Sequence, residues 1–365
     1  MIDPKILPIQ LYGSNISYFS GKLEMYFRVK GIPYEWHTLA GRLMEKVIGP
    51  NTGVTQMPAV KLGDGRWMTD SSAIIAWFEQ HYPTPAITPA DPIARFFSLL
   101  LEDYADEWLW RPAMHYRWYN DEGAMHLSRH IVNELAADVP LPGFLKRWFI
   151  RQRQRRGFTA GDGVDENNRL QVEAIYHDNL ATLEAILQQR PFLLGQQPSL
   201  ADIAFMGPMF RHFSQDPVPA EIMRLTAPAV VEWVARLWNY KPAHTTDGWL
   251  TGVPEDWNYW LEDIGKHYLP YLNANAEAVA AGNKHFDTSA AGVSYRGARS
   301  SRYRVWCLEQ LRAHFQALAS DEQSVVRKRL EDHGCWQALW QVENLASTVN
   351  RDVVPPFGSN AKMIG

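Results

Sequence analysis

Two cysteines, Cys307 and Cys335, are all that 365 residues contain. A disulfide-held scaffold and a thiolate metal cluster both need more, so neither is expected, and a reduced, cytoplasmic chain with two buried thiols is the natural reading. No apolar run approaches the roughly 18 residues of a membrane span, so no transmembrane association is expected. The opening MIDPKILPIQLYG lacks a basic stretch followed by a long apolar one, so no secretory signal is expected. A surplus of one charge is also missing: 36 Lys and Arg face 40 Asp and Glu, a formal net charge of -4. That balance gives the whole chain no reason to seek nucleic acid or an anionic membrane, although local patches stay open. Internal repeats and low-complexity tracts are absent too.

Aromatic residues are abundant: 15 Trp, 15 Tyr and 15 Phe. They fill cores, line flat apolar pockets and dominate interfaces, and their number alone does not choose among these roles. Most are expected in the core. With 46% hydrophobic and 21% charged residues the chain is globular. Its length fits two or three domains and needs no metal to hold them.

The first eighty residues alternate strand and helix. Residues 8–12 are extended, Gly13 and Ser14 break the strand, and a helix follows from Ser17 to Lys30 with Gly31 at its end. Residues 34–39 form a second strand, 42–47 a weaker helical piece, and 50–53 a turn. Residues 59–62 and 66–69 form a hairpin around Gly63-Asp64-Gly65, and Ser71 caps the next helix. The first strand–helix–strand unit is expected to be right-handed with parallel strands, giving a thioredoxin-like sheet. Pro83, Pro85, Pro89 and Pro92 mark residues 84–91 as a linker. Beyond it the pattern is helical: 93–110, 122–135, 168–189, a capping box at Ser199–Asp202, and a helix from Pro228. Residues 258–281, 302–318 and 325–339 are further helices, and 285–295 includes extended chain.

Three stretches carry a resemblance: LYGSNISYFSGKLEMYFRVKGIPYEW, QMPAVKLGDGRWMTDSSAIIAWFEQHYP and PFLLGQQPSLADIAF. In this order they resemble the glutathione transferase superfamily over residues 8–240, and the longer tail suggests an extended bacterial-type member. The resemblance implies an α/β thioredoxin-like N-terminal domain that binds glutathione (1–83), an all-α substrate-binding domain (92–240) and a mainly helical extension (241–365). It also implies a homodimer, with glutathione as cosubstrate and a small hydrophobic electrophile as its partner. No specific nucleic-acid partner and no metal are expected.

The residues support a site in their own right. Ser17 stands where a strand meets a helix N-terminus, whose free amides and partial positive charge favour an anion. A thiolate is the nucleophile in thiol chemistry, and a hydroxyl donor lowers a thiol's pKa. By resemblance Ser17 occupies the activating position; read from the residues alone it is equally an ordinary helix cap. Tyr18, whose phenol can do the same, is the alternative. Ser20 completes a spacing that holds no cysteine, so disulfide exchange is not supported. By resemblance, a cis Met57–Pro58 bond presents the Met57 backbone to glutathione, and Asp70 and Ser71 clamp its γ-glutamyl end. Ser72 competes for that role, and Lys46 is a candidate for the glycyl carboxylate.

Glu102, Asp103 and Asp106 share a helix with Trp108 and read mainly as solvated. Tyr104, Trp108 and His115 are candidates for the second pocket. Lys146, Arg147, Arg151, Arg153, Arg155 and Arg156 form a basic cluster without a recognition motif, read as a charged loop. The chemistry expected is conjugation of glutathione to an electrophile. The alternatives are a noncatalytic scaffold of the same fold, and glutathione-dependent isomerisation or reduction.

Overall fold

The computed structural model describes residues 2–40, 42–242 and 248–347. Strand β1 (Gln10–Gly13) is central in a four-stranded sheet of order β2-β1-β3-β4. It pairs in parallel with β2 (Glu35–Thr38) and antiparallel with β3 (Ala59–Lys61), which pairs antiparallel with β4 (Trp67–Thr69). Helix α1 (Tyr18–Lys30) makes the β1–β2 crossover. It starts at an N-cap Ser17 and ends at Gly31, whose φ of 72° is the left-handed conformation that closes helices. A Cβ on Gly13 would stand 2.7 Å from the Ser20 Oγ, so the close approach of α1 to β1 depends on this glycine.

A short helix α2 (Gly49–Thr52) replaces the turn expected there. Asp70, rather than Ser71, caps α3 (Ser71–His81), its Oδ1 accepting the Ala73 amide at 3.1 Å. A carboxylate at that position gains from the helix field as well as from the hydrogen bond.

The helical region follows with α4 (Pro92–Glu107) and α5 (Trp110–Trp118), a break at Trp108-Leu109 where one helix was expected. Then come α6 (Asp121–Leu135), α7 (Gly143–Gln154), α8 (Arg169–Leu187), α9 (Leu200–Pro208), α10 (Pro217–Thr226) and α11 (Pro228–Trp238). The basic cluster is thus largely helix α7, not a loop. Asp202, at the start of α9, accepts from the Ser199 amide at 2.9 Å, the Leu193 amide at 3.0 Å and the Trp233 indole at 3.0 Å. One buried carboxylate thereby ties three segments together.

The extension comprises α12 (Asn258–Asp263), α13 (Leu269–Ala280), a hairpin of β5 (His285–Ala290) and β6 (Val293–Arg299), then α14 (Arg302–Gln316), α15 (Ser320–Asp332) and α16 (Cys335–Trp340). Gly334, at φ 72°, splits the helix expected over 325–339. The parts of the extension at 243–247 and 348–365 lie outside the described residues. Its aromatic residues pack into the same core as the rest: Trp257, Trp260, Tyr268 and Tyr271 are fully buried. The Trp260 indole donates to Asn179 of α8 at 2.9 Å, and Arg304 reaches Glu107 and Asp162 at 3.1 Å each. Most of the aromatic surplus is core, and both thiols are buried and unpaired. Among the described residues no helix is long and apolar enough to cross a membrane.

Candidate active site

The β1–α1 junction places Ser17 half-buried at the sheet's end, its Oγ accepting the Ser20 amide at 3.3 Å. That bond is long, and it leaves the hydroxyl hydrogen free for an outside acceptor. Ser14, one turn earlier, donates to Glu134 of α6 at 3.0 Å. Leu135, at the end of α6, packs against the cluster of Leu39, Ile48 and Ala59 that Met57, Tyr12 and Trp67 also cover. Helix α6 therefore lies across the junction. The Met57–Pro58 bond is cis and leads directly into β3.

At the start of α1 the chain supplies an aromatic cluster absent from the sequence-based candidates. The half-buried rings of Phe19 and Trp110 stack at 5.7 Å, and Phe158 meets Trp110 edge-on at 5.7 Å. Trp110 and Trp108 are two positions apart and leave their segment in different directions. Trp108 is buried, while Trp110 stays half-exposed.

Tyr18 faces the other way. Its hydroxyl donates to the Ala105 carbonyl at 2.5 Å and its ring is buried. Burial pushes its pKa well up, with Asp106 and Glu107 adding to the shift. The phenol is committed to the packing of α1 on α4.

Asp70 adopts φ 73°, an unusual backbone conformation for a residue with a side chain. Such strain costs on the order of 1–3 kcal/mol and gathers at functional positions. Burial raises its pKa, opposed by the Ala73 amide, by Lys22 and by the Tyr303 hydroxyl of α14, which sits beside the carboxylate. The extension thus reaches Asp70. Ser71 is buried in the first turn of α3. Ser72 is not free to share its role: it accepts from Lys22 at 2.9 Å and donates to Asp106 at 3.2 Å. Lys46 is exposed.

The acidic residues of α4 are not a solvated face. Lys22, fully buried, pairs with Glu102 at 2.6 Å and Asp106 at 2.5 Å. Asp103 accepts the Tyr268 hydroxyl at 2.6 Å. Burial pushes the Asp103 carboxyl up to about 7. Its proton is held more tightly in the fold than in the unfolded chain. The stability it contributes is complete below about pH 4 and is lost as pH rises through about 7. Asp103→Asn keeps an acceptor for Tyr268 and removes this loss. Its stability relative to the parent is expected to improve by on the order of 2 kcal/mol between pH 5 and pH 8, read from urea midpoints. A difference that stays constant with pH would refute it.

Tyr104 and Trp108 belong to the core rather than a pocket, and His115, also fully buried, stands behind a smaller cavity of about 360 Å³ with Tyr119 and Arg155. The Tyr104 hydroxyl donates to Asp263 at 2.6 Å, and His115 pairs with Glu173 at 2.8 Å. A separate cavity of about 1070 Å³ opens between α3, α4 and α14, with Trp77, Asp106 and Trp306 among its walls. Neither Ser17 nor Met57 lines it. No cluster of metal-ligating side chains occurs among the described residues.

The family models for the N-terminal and C-terminal domains of glutathione S-transferase match residues 11–86 and 145–236. Both matches support membership of the glutathione transferase superfamily. It is 36% identical over 95 residues to a maleylpyruvate isomerase from Ralstonia sp. That match spans 24% of this chain and 42% of the relative, well under two thirds of its length. Among solved structures, the β-etherase LigF from Sphingobium sp. is 20% identical, with 64% of this chain and 96% of that one covered at a TM-score of 0.45. A glutathione S-transferase from Methylobacterium radiotolerans, in complex with glutathione sulfonate, is 19% identical, with 67% and 99% covered at a TM-score of 0.40.

Proposed function

We propose that this protein activates glutathione and adds its sulfur to a small apolar electrophile. The observation that carries the reading is Ser17: a half-buried hydroxyl capping the N-terminus of α1, the helix whose second residue, Phe19, stacks on Trp110. In this reading residues 1–83 hold glutathione, with Met57 offering backbone groups and Asp70 and Ser71 receiving the γ-glutamyl end. Residues 92–240 hold the electrophile, and the remainder braces both. Assembly as a homodimer belongs to the same reading, and light scattering tests it.

The chemistry asks little more of the protein. The thiol proton leaves to solvent, and the Ser17 hydroxyl and the α1 amides stabilise the sulfur anion. The sulfur forms a bond to the electrophilic carbon, and the leaving group departs with its electron pair. Positioning and electrostatic stabilisation supply the rate. The likeness to maleylpyruvate isomerase supports a second reading, in which the sulfur adds to a double bond, the bond rotates and glutathione is released again. Product analysis with purified protein, glutathione and a panel of electrophiles separates the two. A stable conjugate supports transfer, and an isomer with glutathione recovered supports isomerisation. No glutathione-dependent product of either kind overturns both.

Tyr303 gives a test of the clamp. Its hydroxyl favours the ionised form of Asp70. Tyr303→Phe is expected to raise the KM for glutathione roughly fivefold with kcat little changed, since one hydrogen bond to a charged group is worth about 1–2 kcal/mol. A fall in kcat at unchanged KM would remove Asp70 from glutathione binding.

A further inference from the structure

Helix α7 is turned inside out. Water-facing helices ordinarily bury their apolar side. Here Phe144, Leu145, Trp148 and Phe149 recur at helical spacing and form one exposed stripe, with Trp148 56% and Phe149 60% accessible, and exposed Leu141 stands just before the helix. The opposite side is the one held by the protein. The Lys146 ammonium donates to the Ala136 carbonyl at 2.8 Å, Arg151 reaches Ser128 at 3.4 Å, and Ile150 packs on the cluster around Trp118. No residue of α7 is fully buried.

The charge around the stripe has one sign. From Val139 to Gly161 there is no carboxylate, yet Lys146, Arg147, Arg151, Arg153, Arg155 and Arg156 all fall in that span of a chain whose net charge is -4. Arg153 and Arg156 are exposed, and they make no ion pair or hydrogen bond with the described residues. A contiguous exposed apolar face marks a contact surface. Large aromatic and aliphatic side chains flanked by free guanidinium groups match a headgroup layer, where the rings enter the acyl boundary and the cations meet phosphate and carboxylate.

We propose that α7 docks this protein on an anionic lipid surface, lying in the interface with Phe144, Trp148 and Phe149 inserted. A second copy is the poorer occupant, because apposing two such faces brings together two cationic segments that contain no carboxylate. Nucleic acid is also poorer, because the outermost groups are apolar while Lys146, Arg151 and Arg155 are engaged with the protein's own carbonyls, hydroxyl and carboxylate.

Vesicle flotation of the full chain tests this. Binding to phosphatidylcholine vesicles carrying about 30% phosphatidylserine should exceed binding to phosphatidylcholine alone by about tenfold or more, and it should weaken in about 0.5 M NaCl. The double substitution Trp148→Glu with Phe149→Glu should lower binding about tenfold, and Arg153→Glu with Arg156→Glu should abolish the preference for the anionic lipid. Deuterium exchange of the unmodified protein should show vesicle-dependent protection over residues 141–156, which keeps the proposal testable if a variant does not fold. Equal binding to both vesicle types, or binding unaffected by the substitutions, overturns it. So does binding to an oligonucleotide but not to vesicles. An oligomer that Trp148→Glu converts to monomer, without vesicle binding by the parent, equally overturns it.

Discussion

Lys22→Met is expected to destabilise the protein by about 3–5 kcal/mol, a large part of the roughly 5–15 kcal/mol that holds a typical domain. The ammonium is fully buried and ties α1 to two other elements: Ser72 on α3 at 2.9 Å, and Glu102 and Asp106 on α4 at 2.6 and 2.5 Å. Burial alone would lower its pKa, yet the two carboxylates outweigh that and raise it. Methionine fills similar space but leaves two carboxylates facing each other without a cation. Burial has already pushed Asp106 up to about 7 against the pull of Lys22. Without the lysine the Asp106 carboxylate binds its proton more readily in the fold. The variant's deficit should therefore shrink as pH falls from about 8 to 5. Denaturant midpoints across that range check the claim, and the triple variant with Glu102→Gln and Asp106→Asn should recover much of the loss. A deficit under about 1 kcal/mol at pH 8 would show that the network is not what joins α1 to α4.

The contrast with what could be read beforehand is instructive at this position. A lysine inside a helix ordinarily reads as solvated, and its partners lie 80 and 84 residues away with no local pattern to announce them. Glu102 and Asp106 suffered the same misreading for the same reason. Local signals fared better: Ser17 and Gly31 bracket α1, and Gly63-Asp64-Gly65 turns the hairpin. The sheet follows from those punctuations because each is a conformational requirement met within a few residues.

Tyr104 and Trp108 are not pocket residues, and His115 is shut behind its neighbours, for another reason. The first two are covered by the extension, through Asp263, Tyr268 and Tyr295, and His115 is closed in by Tyr119 and Glu173. An amphipathic pattern tells that a face is apolar, but not whether a ligand or another helix fills it. The stripe on α7 was legible by its spacing, and the density of arginine obscured it. The aromatic cluster at the start of α1 was not legible at all, since Phe19, Trp110 and Phe158 meet only through the fold.

Ser17→Ala is expected to lower kcat/KM for glutathione-dependent turnover by about 10²-fold, the usual effect of removing one donor from a developing or stored anion. The loss should be largest near neutral pH and shrink as the solution becomes basic enough to ionise the bound thiol unaided. That pH dependence separates activation from cap loss. Ser17 also caps α1, and losing a cap costs about 1 kcal/mol of stability at every pH. Ser17→Thr retains both hydroxyl and cap and should preserve most of the rate. Tyr18→Phe is the counterpart: its hydroxyl is spent on the Ala105 carbonyl, so it should weaken the fold modestly while leaving kcat/KM within about threefold. Steady-state rates across pH for the three variants decide the matter. If Tyr18→Phe loses the rate and Ser17→Ala keeps it, thiol activation has been assigned to the wrong hydroxyl. If both keep it, the α1 amides alone hold the thiolate.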